Sequence, residues 1–294
     1  MREIFRRYGM TLSAFIVALP AFWLLALVVL PYMILFEYSL RPYLPFDQLG
    51  GPNDVYSLNN YWTFFTSSIH VKIFFLTVFF SSVVTVICLV LSYPLAFFIA
   101  KVAKPHNVPT LFAILLIPLW VSEILRSFAW FIVLSYHGPL NAILEGIGIF
   151  SGPVRWITGF NGVMIGLVYT YVLFMLFPIY NAIQALDSHQ IEAAEDLGAP
   201  AWKIHWRIVI PHSKPGIASG CVMVFMLSAG SIIVPSLLAS PGSRWFTEIV
   251  QQWMFESQDW NTGSAYAFLL LILCTSFVTL MMRLLNVRLV DIAK

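Results

Sequence analysis

Apolar residues gather into six long stretches, at about 11–36, 73–100, 109–135, 160–183, 216–239 and 264–285, separated by shorter polar segments. Each is long enough for the roughly 20 apolar residues that a helix needs to cross a hydrocarbon core. The pattern predicts an all-α integral membrane protein with six transmembrane helices, forming one domain over residues 1–294. Pro20, Pro31, Pro94, Pro118, Pro178 and Pro235 lie in or near these stretches. They mark kinks or ends, which neighbouring helices can accommodate. The first stretch exceeds the apolar core of about 7–15 residues in a cleaved signal peptide, so a retained first span is expected.

The segments between the spans predict shorter elements. Residues 37–70 carry Pro42, Pro45, Gly50, Gly51 and Pro52 and end in the aromatic cluster Tyr61, Trp62, Phe64 and Phe65. Gly138-Pro139 opens the apolar run Leu140–Ile149, too short to span, and Trp245–Trp260 is amphipathic and aromatic. Both runs read as helices at the outer interface, where Trp and Tyr favour the headgroup level. Anchoring there and reception of a soluble partner are both open to them.

The most polar segment is the loop 184–215, between the fourth and fifth spans. Asp187 suits the cap of a first short helix, with Gln190 three residues on reaching back. Ile191, Ala194 and Leu197 fall on one face at helical spacing. Gly198 suits the left-handed position that ends a helix. Pro200 fits the first turn of a second helix, Ala201–Val209, which Pro211 is expected to stop. A compact helical element with an apolar stripe between charges fits a groove on a partner.

Composition narrows the class. Of the 294 residues 60% are hydrophobic and only 10% charged, with a mean hydropathy of +0.83. A soluble domain carries about 25% charged residues, so lipid is the expected solvent. The net charge of +2 gives no nucleic-acid footprint. With the N-terminus in the cytoplasm, that side holds Arg2, Arg6, Arg7, Lys101, Lys104, Lys203, Arg207, Lys214, Arg283, Arg288 and Lys294, eleven of the sixteen basic residues. The opposite side holds Arg41, Lys72, Arg126, Arg155 and Arg244. By the positive-inside rule both termini face the cytoplasm. Cys88, Cys221 and Cys274 lie in apolar runs without a CxxC pair, which predicts buried packing rather than a disulfide or zinc site.

The spacing Glu192-Ala193-Ala194, Gly198, then Ile208-Val209-Ile210-Pro211 resembles the EAA loop of binding-protein-dependent ABC importer permeases. The family pattern is E-A-A, three residues, G, nine residues and I-x-L-P, and Ile210 stands where Leu is usual. The resemblance covers nearly the whole chain. Ser92-Tyr93-Pro94-Leu95-Ala96, Ile117-Pro118-Leu119-Trp120, Leu125-Arg126, Gly138-Pro139-Leu140-Asn141 and Asp259-Trp260 are similar to the spermidine/putrescine branch, and to its first-permease type.

That resemblance implies a type I ABC importer permease fold in a bacterial inner membrane, with a coupling helix seated in an ATPase cleft. Glu192 would be the polar contact, Ala193 and Ala194 keep the helix thin, and Gly198 permits the bend. Asp196, Leu197, Ile208 and Pro211 complete the coupling set. The implied partners are two copies of the ATPase, a second permease, a periplasmic solute-binding protein and membrane lipid. The chain has no GxxxxGK[ST], so ATP and Mg would be bound by the partner ATPase. Neither a catalytic constellation nor a metal geometry is evident, and no cofactor is expected in this chain.

The implied cargo is a polyamine or related amine. One departure bears on it: Ser231 and Ser236 stand where polyamine-carrying relatives often have acidic residues, which keeps opines, amino acid-like solutes and organic anions open. Glu123 and Arg126 are one helical turn apart, and charged groups inside a span are usually paired. They either line the translocation path, with Trp120, Tyr169, Ser231 and Ser236 and with Trp130 nearby, or lock spans together. Gly162-xxx-Gly166 and Gly216-xxx-Gly220 allow close helix approach. His189, His205 and His212 read as surface or interface residues. A secondary transporter or channel, and a membrane enzyme, are the competing classes. Broken helices in corresponding halves, a filter motif or a clustered His/Asp/Glu set would favour them.

Overall fold

A computed structural model describes residues 10–45, 48, 50–52, 54–240 and 242–287. Arg2, Arg6, Arg7, Arg288 and Lys294, used above for orientation, lie outside the described residues. In chain order the helices begin with α1 (Met10–Leu24), α2 (Leu30–Leu40), α3 (Asn59–Thr66), α4 (Ser68–Phe97) and α5 (Val108–Trp120). They continue with α6 (Glu123–Val133), α7 (Pro139–Gly146), α8 (Asn161–Gln184), α9 (Ser188–Asp196) and α10 (Ala201–Ile204). The last are α11 (Ile210–Ala229), α12 (Ile233–Leu238), α13 (Phe246–Gln251) and α14 (Trp260–Leu285). Five-residue π-helical turns occupy Leu25–Val29, Phe98–Val102, His205–Val209 and Gln252–Glu256. Among the described residues, five helices are long and apolar enough to span a membrane, and six when the bent pair α5–α6 counts as one.

Tertiary contacts divide the chain into two units, Met1–Ser68 with Val250–Leu269 and Ile69–Ile249 with Leu270–Lys294. In the first, the carbonyls left free at the end of α2 find side-chain partners. Asn60 Nδ2 donates to the Ser39 and Arg41 carbonyls at 3.0 and 2.8 Å, and Asn261 Nδ2 to those of Tyr38 and Arg41 at 3.1 and 2.9 Å. Arg41 binds Glu37 at 2.8 Å and Asp54 at 3.0 Å. Its guanidinium also lies 5.0 Å from the centre of the Tyr56 ring.

The second unit is built on α8 and α11. Val163, Leu167, Met175, Leu176, Ile179 and Ile183 of α8 are fully buried, as are Val224 and Phe225 of α11. The two helices meet at glycines. A Cβ on Gly220 would lie 2.6 Å from Met175 Sδ, and one on Gly216 would strike the Pro178 carbonyl. The second small-residue pair, Gly162 and Gly166, admits α12, where a Cβ on Gly162 would lie 2.8 Å from the Leu238 carbonyl oxygen. Both pairs therefore hold helix crossings. Cys88, Cys221 and Cys274 are buried and free, as their apolar setting predicts.

Three sequence expectations need correction. The third stretch, expected as one span over 109–135, is two helices that meet at 88°. Pro118 withdraws a ladder N–H in the last turn of α5, and Val121 and Ser122 are extended, with ψ of 134° and 141°. The fifth span, expected at 216–239, ends at Ala229 and is followed by the short α12. Pro211 does not stop the helix before it, since Ala201–Ala229 is helical throughout its 29 residues. The π-turn His205–Val209 bonds Ile210 N–H back to the His205 carbonyl. The ladder is thereby widened by one residue just before the proline, which then removes one bond rather than ending the helix.

The third correction concerns Trp245 and Phe246, expected at an interfacial surface; both are fully buried. Trp245 Nε1 donates to the Ser228 carbonyl at 3.1 Å, Thr247 Oγ1 to the Ser231 carbonyl at 2.6 Å, and Phe246 N–H to Thr77 Oγ1 at 3.0 Å. The first two bonds satisfy carbonyls freed where α11 ends, and the third ties the segment to α4, which together draw it inward. The run Leu140–Ile149 forms the short α7, held by Asn141, which takes the Trp156 indole N–H at 2.8 Å and bonds both backbone groups of Val154.

Candidate functional site

The loop after α8 folds as its local signals dictate. The Asp187 carboxylate caps α9 by accepting the His189 N–H at 3.0 Å. Gln190 contributes its backbone N–H to the Asp187 carbonyl at 3.2 Å, rather than the expected side-chain return. Gly198 takes φ +72°, and the N–H groups of Gly198 and Ala199 close the helix end on Glu195 and Ala194 at 2.8 and 3.0 Å. The chain then turns into α10, with Pro200 as its N-cap.

The apolar stripe faces differently from the sequence reading. Ile191 and Ala194 pack against the chain's own core, while Leu197, already leaving the helix as its C-cap, is 88% exposed. The outward surface is Glu192, Ala193, Asp196, Leu197 and Gly198, with Trp202 and Trp206 exposed beside it. Ile208 is half-buried and Pro211 exposed. His189 Nδ1 lies 3.0 Å from Glu192 Oε2. That hydrogen bond first, then the charges of Asp187 and Glu192, raises the His189 pKa above its ordinary value. His212 is exposed, and His205 is half-buried against α4.

A second constellation lies where α6, α8 and α12 pack on one another. Glu123 and Arg126 do not form the expected pair: among the described residues no ion pair joins them within 4.0 Å. Instead Glu123 Oε1 accepts the Tyr171 hydroxyl at 3.0 Å. Arg126 Nε is buried without a hydrogen-bond partner among the described residues. Ser231 Oγ is likewise buried without a hydrogen-bond partner among the described residues. Helical spacing put the two charges on one face but could not show that Tyr171, 48 residues from Glu123, would take the carboxylate. Trp130 and Tyr169 meet edge-to-face at 5.2 Å and border a mostly apolar groove of about 560 Å³ with Met164 and Val168. Trp120 is 82% exposed, and the exposed Ser236 bonds its own Ile233 carbonyl at 2.9 Å; neither joins the cluster. Glu123 is thus a half-buried carboxylate with no cation at ion-pair distance among the described residues.

This arrangement is the permease fold of ABC importers. One chain of the crystal structure of a bacterial ABC transporter involved in the import of the acidic polysaccharide alginate superposes with a TM-score of 0.73, at 18% identity and over 97% of each chain. The alginate transporter in complex with its pentasaccharide-bound periplasmic protein gives 0.72, also at 18% identity, over 97% of this chain and 98% of that one. In sequence, the chain is 33% identical over 251 residues to the spermidine/putrescine transport system permease protein PotB of Escherichia coli (strain K12), covering 85% of this chain and 89% of the relative. Residues 1–291 match the family described as the binding-protein-dependent transport system inner membrane component, and the chain belongs to that family. It is a multi-pass, non-catalytic permease subunit of an ABC importer.

Proposed function

We propose that this permease carries a polyamine or related amine from a periplasmic binding protein into the cytoplasm by alternating access. It does so beside a second, different permease and under the drive of two ATPase subunits, which hold the ATP and Mg. Both termini then lie in the cytoplasm, on the same side as α9. The observation that carries the reading is the outward end of α9, where Glu192, Ala193, Asp196, Leu197 and Gly198 stand exposed on a capped helix whose other face is fixed to the chain's own core. A helix presented in this way fits a groove and passes its displacement to the spans.

The amine is supported by the kinship with a permease named for spermidine and putrescine, and by Glu123. Arg126 beside that carboxylate keeps its hold on a cation weak, as conduction requires. Glu192→Lys tests the coupling role: solute uptake is abolished and the ATPase no longer co-purifies, while the permease still inserts in the membrane. Normal uptake with normal ATPase recovery would defeat it.

A further inference from the structure

The segment Ser92–Lys101 closes the inner end of the second span, and each of its polar side chains reaches a different element. Ser92, fully buried, donates from Oγ to the Val172 carbonyl of α8 at 3.0 Å. Tyr93 Oη lies 2.7 Å from Nδ1 of His205, in the π-turn that follows α10. The Phe97 ring packs on the same imidazole, with centroids 4.5 Å apart. Pro94 lies inside the continuous helix, and the π-turn Phe98–Val102 that follows holds Lys101, whose Nζ donates to the Leu186 carbonyl and lies 3.4 Å from Ser188 Oγ. Leu186 and Ser188 flank the residue that caps α9. One stretch of the second span therefore grips the exposed loop at both ends, at its entry through Lys101 and at its exit through Tyr93, and is itself bonded to α8.

We infer that Tyr93 and Lys101 are positioning residues that make the loop, the second span and the fourth span move as one body. With both grips in place, a push on α9 cannot be absorbed by rotation of the loop about Leu186 or His205. The displacement reaches α4 and α8 through hydrogen bonds and packed rings, which form a contiguous physical route. With the grips removed, nucleotide turnover continues but the stroke is partly lost in the loop. The inference rests on the reading of Glu192 as the ATPase contact.

The test uses the assembled transporter in proteoliposomes, with three quantities measured: ATPase co-purification, ATP hydrolysis, and solute moved per ATP hydrolysed. Tyr93→Phe combined with Lys101→Met removes the Tyr93 bond to His205 and both Lys101 bonds, to Leu186 and Ser188, and keeps the bulk. ATPase recovery and hydrolysis are expected to persist while solute moved per ATP falls at least about tenfold, the scale set by losing these hydrogen bonds. Lys101→Arg, which can still reach the Leu186 carbonyl, restores the ratio to within about twofold in the Tyr93-intact protein. An unchanged ratio in the double variant would overturn the inference. So would loss of the assembled complex, which would make these bonds supports of the fold rather than of transmission. The Glu192→Lys result separates the two readings. If that variant keeps its ATPase and its uptake, the coupling role itself has failed. If it loses both while the double variant transports normally, only the positioning role has failed.

Discussion

The loop at α9 and the bend between α5 and α6 are both polar interruptions in an apolar chain, yet they are built in opposite ways. At α9 each determinant is local: Asp187 caps, Gly198 turns at φ +72°, and Pro200 opens the next helix. At the bend the backbone turns locally, but its polar groups are answered from far along the chain. Tyr171, 48 residues away, bonds Glu123, the first residue of the helix after the bend. The loop keeps its charges in water; Arg126 Nε, in the helix after the bend, and Ser231 Oγ, just before the α12 packed on it, are buried without partners among the described residues. A polar interruption whose caps are complete is a surface to be touched. One whose polar atoms lack partners points to something that passes by.

The sharpest way to break this contrast is a pair of glycine substitutions. Gly162→Val, where α8 meets the α12 that packs on α6, puts its Cβ 2.8 Å from the Leu238 carbonyl oxygen and should destabilise the permease by about 3 kcal/mol through overpacking. Thermal unfolding in detergent reads this, and an unchanged midpoint would show that α12 does not hold its place against α8. Arg126→Ala should leave assembly unaltered, because its buried Nε makes no bond to lose among the described residues, while uptake falls about tenfold, since Glu123 without the neighbouring positive charge would hold the amine too tightly to release it. Unimpaired uptake at normal expression would remove the pathway role. Gly198→Ala in the loop meets nothing within 4 Å and should cost only about 1 kcal/mol of backbone strain. A loss as large as that of Gly162→Val would erase the contrast.

The smallest effect concerns His189. Its pKa is raised chiefly by the hydrogen bond to Glu192. The folded value exceeds the unfolded one, so the stabilisation is fully present below about pH 6.5 and is lost as pH rises through the elevated pKa. An NMR titration should place the His189 midpoint above that in Glu192→Gln. Equal midpoints would mean that the pair does not form in solution.

The sequence made the membrane class, the six apolar stretches and the loop legible because each rests on local composition or spacing. The limits of the fifth span were not legible, since Pro211 carries a stop signal that the π-turn at His205–Val209 overrides. Trp245 was misplaced for a related reason: an aromatic residue near a span end suits the headgroup region equally well, until the Ser228 carbonyl claims its indole. The pairing of Glu123 with Tyr171, and of Tyr93 with His205, depends on which helices become neighbours. No spacing within one segment encodes that.

The unbroken helix Ala201–Ala229 has a mechanical consequence. Its 29 residues, at about 1.5 Å each, make a rod of roughly 43 Å. Pivoted near its loop end, a tilt of about 10° would swing the far end by about 7 Å, more than one helical pitch. Modest rocking at the loop would thus become, at Ala229, a sweep comparable to the width of a small solute. The chain achieves this gearing along a beam that stays continuous through two prolines, Pro211 and Pro215, the first of them accommodated by the single widened turn before it.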